Sequence, residues 1–204
     1  GDTWLRIGGI KVFMDGALGA RTASMLEPYE LETTNYGIVV TKQEDLLSIA
    51  KKANTNSLAM TVHAIGDRAN REVLDVYEKL RSTEKKHGHL PSKLRHRIEH
   101  VQLLHPDDYN RLGASQIIAS MQPIHATSDM LLAERYWGNR ISGSYGWRTQ
   151  HNAGAILAFG SDAPVESINP MWGIHAAVTR RKRADNSEED GWQSQQCLTV
   201  DEAV

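Results

Sequence analysis

A single cysteine, Cys197, stands in 204 residues, so no internal disulfide is available and thiol usage matches a reducing compartment. Charge of one sign is missing too. With 23 Lys and Arg against 25 Asp and Glu, the net charge is −2, which argues against a nucleic-acid surface or a polybasic membrane anchor. The one dense basic run, residues 180–183, follows a helical pattern and reads as a helix C-terminus facing its own dipole. No apolar stretch approaches the roughly 18–20 residues of a membrane span, and the first residues carry no signal-peptide pattern. Nor does a Pro/Gly/Ser-rich linker, a low-complexity tract or a repeat divide the chain. These absences lead to the expectation of one soluble, cytoplasmic domain, although an upstream signal peptide stays compatible with them.

What is present alternates. Strand-like runs at 7–14, 58–63, 96–102, 117–122 and 155–160 are separated by helical patterns. Leu46, Leu47, Ile49, Ala50 and Ala53 form the apolar stripe of the first helix, with Thr41 and Glu44 at capping-box spacing before it. Asp67 opens a second helix carrying Val73, Val76, Tyr77 and Leu80. Pro106 and Pro170 suit first helical turns, helical patterns cover 128–137 and 146–152, and Thr199 with Glu202 repeats the capping spacing at the C-terminal end. Short apolar runs between helices imply parallel strands buried on both faces, an α/β fold. The chain's 204 residues fall short of the about 250 typical of an eight-stranded barrel.

Three runs end on chemistry. LAMTVHAIGD delivers His63, HRIEHVQ delivers His100, and AILAFGSDAPVE delivers Asp162. A carboxylate closing a buried strand is costly unless a metal, a proton or a substrate meets it. Alternation sets His63 beside Thr61 and Ala59, Asp162 beside Gly160 and Ala158, and His100 beside Ile98 and His96. Because Arg97 and Glu99 then point the other way, His100 rather than Glu99 is expected at the mouth. Two imidazoles and a carboxylate suit zinc and similar divalent ions. Lys11 lies inside the apolar run around Ile10, Val12 and Phe13. It is expected either to pair with a carboxylate such as Asp15, or to be a desolvated amine that reacts with carbon dioxide and ligates as a carbamate. Loops after the strands nominate Arg68, Gln122 and His125 for substrate binding.

IKVFMDGALGARTA, TVHAIGDRAN, HRIEHVQ and FGSDAPVE, in that order, resemble the amidohydrolase superfamily, in the branch holding YtcJ-like proteins and N-substituted formamide deformylases. The likeness spans Ile10 to Val204. It implies a partial TIM-type (β/α)8 barrel, with residues 1–204 providing about strands four to eight. It also implies one or two divalent ions, zinc foremost, with Lys11 from strand four, His63 from strand five, His100 from strand six and Asp162 from strand eight as ligands. Asp162 would also move the proton during hydrolysis of amide or formamide C–N bonds in a small-molecule substrate.

The superfamily's first-strand His-x-His pair is read as absent from all of residues 1–204. It is expected upstream with strands one to three, so residues 1–204 alone would hold an incomplete, inactive site. Two open strand edges would favour pairing with that missing half or self-association. A phosphoester or lactone hydrolase on the same metal, a metal-free acid/base set, and a non-catalytic binding or regulatory remnant remain alternatives.

Overall fold

The computed structural model describes residues 3–5, 7–86, 93–184 and 190–204. Its five strands are β1 Gly9–Phe13, β2 Ala59–Ala64, β3 Arg97–His100, β4 Ile118–Met121 and β5 Ile156–Phe159. All four pairings are parallel, and the strands lie in chain order. Each connection carries helix: α1 Gln43–Thr55, α2 Asp67–Lys86, α3 Arg111–Ala114, then α4 Pro123–Trp137 and α5 Trp147–Asn152. Helices α6 Pro170–Thr179 and α7 Val200–Ala203 follow β5. Among the described residues no helix is long and apolar enough to cross a membrane.

Register separates two faces. Val12, Val62, Ile98, Ala119 and Leu157 share one rung; the first four are buried and join the core with Leu46, Ala50, Val73 and Leu80 of the covering helices. On the opposite face Lys11, Thr61, Arg97, Ile118 and Ile156 share a rung, as do Phe13, His63, Glu99, Ser120 and Ala158. Lys11, Phe13, Arg97 and Ile156 are exposed there. The expectation of strands buried on both faces therefore holds for one face of this chain. Lys11, placed by its apolar neighbours inside a buried strand, instead projects from the open face with its Nζ 4.9 Å from the Phe13 ring centroid.

Two local expectations are also corrected. Thr41 does not cap α1: its hydroxyl donates to the Phe13 carbonyl at 2.7 Å, and Lys42 occupies the cap position without a side-chain bond. The basic run after α6 is not simply a solvated helix end. Arg180 is buried, in left-handed backbone, with its guanidinium 4.3 Å from the Trp147 ring centroid and 4.9 Å from that of Trp192. It donates to the carbonyls of Tyr145 and Trp192, while burial pulls its pKa down to about 10. The C-terminal capping box does form, since Thr199 and Glu202 exchange side-chain-to-backbone bonds.

Candidate active site

The strand C-termini open into a cleft of about 440 Å³ whose lining includes Lys11, His63, His100, His125 and Asp162. The loop that follows β1 is tied down by Asp15. One of its carboxylate oxygens accepts from the amides of Ser24 and Gly66 at 2.9 and 2.8 Å, and the other accepts from Ile65 at 3.1 Å. Asp15 thus joins the loops after β1 and β2, and Lys11 is not its partner. Burial raises its pKa to about 7 against the lowering effect of those three amides.

His63, the fifth residue of β2, sits in the corner so formed. Its Nε2 lies 2.9 Å from the Gly16 carbonyl and 3.4 Å from an Asp15 oxygen. A carbonyl only accepts, so Nε2 carries the hydrogen and a neutral ring leaves Nδ1 bare. Burial lowers the His63 pKa, and the Lys11 charge lowers it further.

His100 reaches the same place by a different route. Its register partner is Ala64 on the helix-covered side, so uninterrupted alternation would bury the imidazole among the helices. That is where His96 goes: its Nδ1 accepts the Met60 amide at 2.9 Å and its Nε2 donates to Glu84 at 3.0 Å. At His100 and Val101 the backbone turns left-handed, with φ of 79° and 46°, a conformation rare for such side chains. The break swings the His100 ring to 4.6 Å from that of His63, centroid to centroid. Alternation pointed Glu99 away from the cleft side and His100 toward it. The structure reverses both assignments for the strand itself, and the turn restores His100. His100 Nδ1 meets the Gln122 amide oxygen at 2.8 Å, so Nε2 is its bare nitrogen. Burial, then the adjacent His63, hold the His100 pKa down to about 4.

Asp162 lines the cleft just beyond β5, exposed and in left-handed backbone with φ of 54°, which Asp tolerates better than most residues. Its charge acts on Lys11, His63 and His100. Partial burial lowers the Lys11 pKa, opposed by Glu99 and Asp162. Gln122 holds His100 rather than standing free for a substrate. His125 lines the cleft, its ring stacked 6.0 Å from His100. Arg68 does not line it and instead acts on Glu72 one turn along α2. Sequence reading gave no part to Gln102, Asp129 or Glu166, which also line the cleft. Asp129, one turn after His125, was the most accessible of these to helical spacing.

The donor chemistry suits a borderline divalent ion: two neutral imidazoles, each with one nitrogen held by an oxygen acceptor and the other bare, beside a carboxylate. Among the described residues no three His, Cys, Asp or Glu side chains stand in a metal-holding arrangement. The sequence does contain one His-x-His spacing, His87 and His89, after the charged end of α2; both lie outside the described residues.

The sequence model of the amidohydrolase family matches residues 1–204. The chain belongs to the amidohydrolase family. It is 38% identical over 179 residues to "Protein LONG AFTER FAR-RED 3" of Arabidopsis thaliana, covering 87% of this chain and 30% of that protein. It is 34% identical over 205 residues to "Putative amidohydrolase YtcJ" of Bacillus subtilis (strain 168), covering 98% of this chain and 36% of that one. The chain therefore spans about a third of these relatives. An "uncharacterized metal-dependent hydrolase" from Pyrococcus horikoshii superposes with TM-score 0.81 at 31% identity, over 97% of this amidohydrolase chain and 38% of the other. A second, from Pyrococcus furiosus, gives 0.80 at 30% identity over 100% and 39%.

Proposed function

We propose that this chain supplies strands four to eight of a (β/α)8 barrel that hydrolyses C–N bonds of amide or formamide substrates at a metal centre. The observation carrying this reading is the pairing of His63 and His100, two neutral imidazoles from neighbouring strands, each with one nitrogen engaged and one bare. The sequential parallel order, with helices on one face and an open face opposite, supports barrel closure by strands one to three from outside residues 1–204.

His63 through Nδ1 and His100 through Nε2 would hold a divalent ion, zinc foremost, together with Asp162, Lys11 and donors from outside the chain. Such an ion supplies Lewis acidity toward a carbonyl and makes water a competent nucleophile near neutral pH. Asp162 takes one proton from the attacking water and returns it to the leaving nitrogen, so the acyl carbon gains OH and the amine gains H. Gln122 and the Gly16 carbonyl keep the two rings in register. Lys11, its basicity reduced by partial burial, is suited to attack carbon dioxide and release a proton, becoming an anionic carbamate ligand.

The test is turnover by the longer protein containing this chain, assayed on N-substituted formamides, hydantoins and phosphotriesters with and without a chelator, alongside metal analysis and intact mass. Chelator-sensitive amine release with stoichiometric metal supports the proposal, and a 44 Da increment on Lys11, which is about the mass of carbon dioxide, supports the carbamate. Turnover confined to phosphotriesters replaces the C–N assignment. Absence of both metal and turnover overturns it in favour of a binding module.

A further inference from the structure

Asp15 is a carboxylate only 2% exposed, and N–H groups surround it. One oxygen accepts from Ser24 and Gly66; the other accepts from Ile65 and lies 3.4 Å from His63 Nε2. A carboxyl O–H would face a donor at either oxygen, so these surroundings fit the ionised form. The next residue completes the corner. Gly16 turns its carbonyl to His63 Nε2 at 2.9 Å, its amide donates to the Thr22 carbonyl at 3.1 Å, and the Ala17 amide donates to the Thr22 hydroxyl at 3.0 Å. A Cβ on residue 16 would collide with that hydroxyl, so the loop closes this tightly only on glycine. The Gly16 carbonyl is thus fixed from both sides, by the anchored Asp15 before it and by Thr22 after it. A bare Nε2 would point its lone pair at one oxygen with another close by. Both repel it, and both favour a hydrogen there.

We propose that Asp15 is a positioning residue of the metal centre: through His63, and through the Gly16 carbonyl that it anchors, it keeps the hydrogen on Nε2 and reserves Nδ1 for the ion. The proposal rests on the metal-centre reading above. It adds a carboxylate that never touches the ion and that makes the ring behind which it stands a stronger donor. His100 has only the uncharged Gln122 oxygen in the corresponding place. The two imidazoles are therefore unequal ligands, with His63 the more strongly donating.

Two measurements on the longer protein test this without turnover. In the first, 15N NMR of the metal-free protein reads the tautomers of both rings. Nε2–H on His63 is expected in the wild type, and Asp15→Asn is expected to give a mixed His63 population beside an unchanged His100. Nδ1–H on His63 in the wild type overturns the proposal, as does an unchanged His63 in Asp15→Asn. Equal disturbance of both rings reduces Asp15 to a tie between loops and overturns it too. Should Asp15→Asn fail to fold, Gly16→Ala carries the same comparison, because it shifts the carbonyl while every polar group stays. In the second, titration with zinc is expected to show binding weakened by about 10- to 100-fold in Asp15→Asn; wild-type affinity in the folded variant overturns the proposal. A wild type that binds no zinc sinks the metal-centre reading and the reserved nitrogen with it, while the NMR arm still decides whether Asp15 sets the proton on His63.

Discussion

The two faces of the sheet solve different problems. The helix-covered face carries Val62, Ile98 and Ala119, fully buried and apolar, and the buried imidazole of His96, just before β3, is satisfied on both nitrogens by Met60 and Glu84. The opposite face and its strand ends carry Lys11, His63, Glu99 and Asp162, with Phe13 and Ile156 exposed beside them. One face is finished within these residues; the other gathers groups whose charges act on one another and whose nitrogens are left bare. His96 and His100 show the contrast within four residues, the first wired into the core and the second turned out by a left-handed backbone.

Four measurements, made on these residues within the barrel proposed above, would break or sharpen that contrast. His100→Ala is expected to weaken metal binding by more than about 100-fold, since loss of a mere supporting partner costs 10–100-fold; His96→Gln should leave metal affinity close to wild type. Equal losses in the two variants, read by metal titration, would erase the distinction between the two histidines.

Ile98→Ala should cost about 2–5 kcal/mol, the penalty for truncating a filled core position. Ile156, 51% exposed in this chain, tests barrel closure: covered by further strands, Ile156→Ala should cost at least about 1 kcal/mol, whereas an exposed site stays within about 0.5 kcal/mol. Denaturant unfolding of both variants distinguishes the cases, and a neutral Ile156→Ala would argue that the face stays open.

Gln122→Leu removes the acceptor at His100 Nδ1 and should reduce metal affinity by about 10–100-fold, with little change in fold. Titration of metal into this variant, compared with His100→Ala, ranks the supporting bond against the ligand itself.

The smallest effect concerns pH. Burial lowers the His96 pKa from its ordinary 6.5 despite the Glu84 bond, so the unfolded chain binds the extra proton and the folded one resists it. The contribution is complete above 6.5 and is lost as pH falls below that value toward the lowered one. Thermal unfolding of the metal-free protein between neutral and mildly acidic pH should therefore show a shallower dependence in His96→Gln; an unaltered slope would place the pH dependence elsewhere.

Much of the fold was legible because period carries it. The apolar stripe of α1, the strand runs around Val62 and Ile98, and the proline opening α6 are local signals, and the observed elements follow them. Misreadings arose where a local pattern had a distant answer. Lys11 looked buried because its sequence neighbours are apolar, yet alternation sends it to the open face. Arg180 looked solvated among other basic residues, yet Trp147 and Trp192 enclose it from far along the chain. Thr41 had the spacing of a cap but spends its hydroxyl on the end of β1.

By itself the sequence determined the alternation of strand and helix, the parallel class, and which residue types close the strands, since these follow from side-chain periodicity and family motifs. Tertiary structure alone decided which of two histidines four residues apart, His96 and His100, enters the cleft, and which nitrogen of each ring is free. Periodicity assigns a side chain to a face, but a left-handed turn at His100 and the acceptors Gly16 and Gln122 come from loops and strands remote in the chain. Only folding brings those oxygens to the imidazoles, and an oxygen acceptor is what fixes where the proton of a neutral ring must sit.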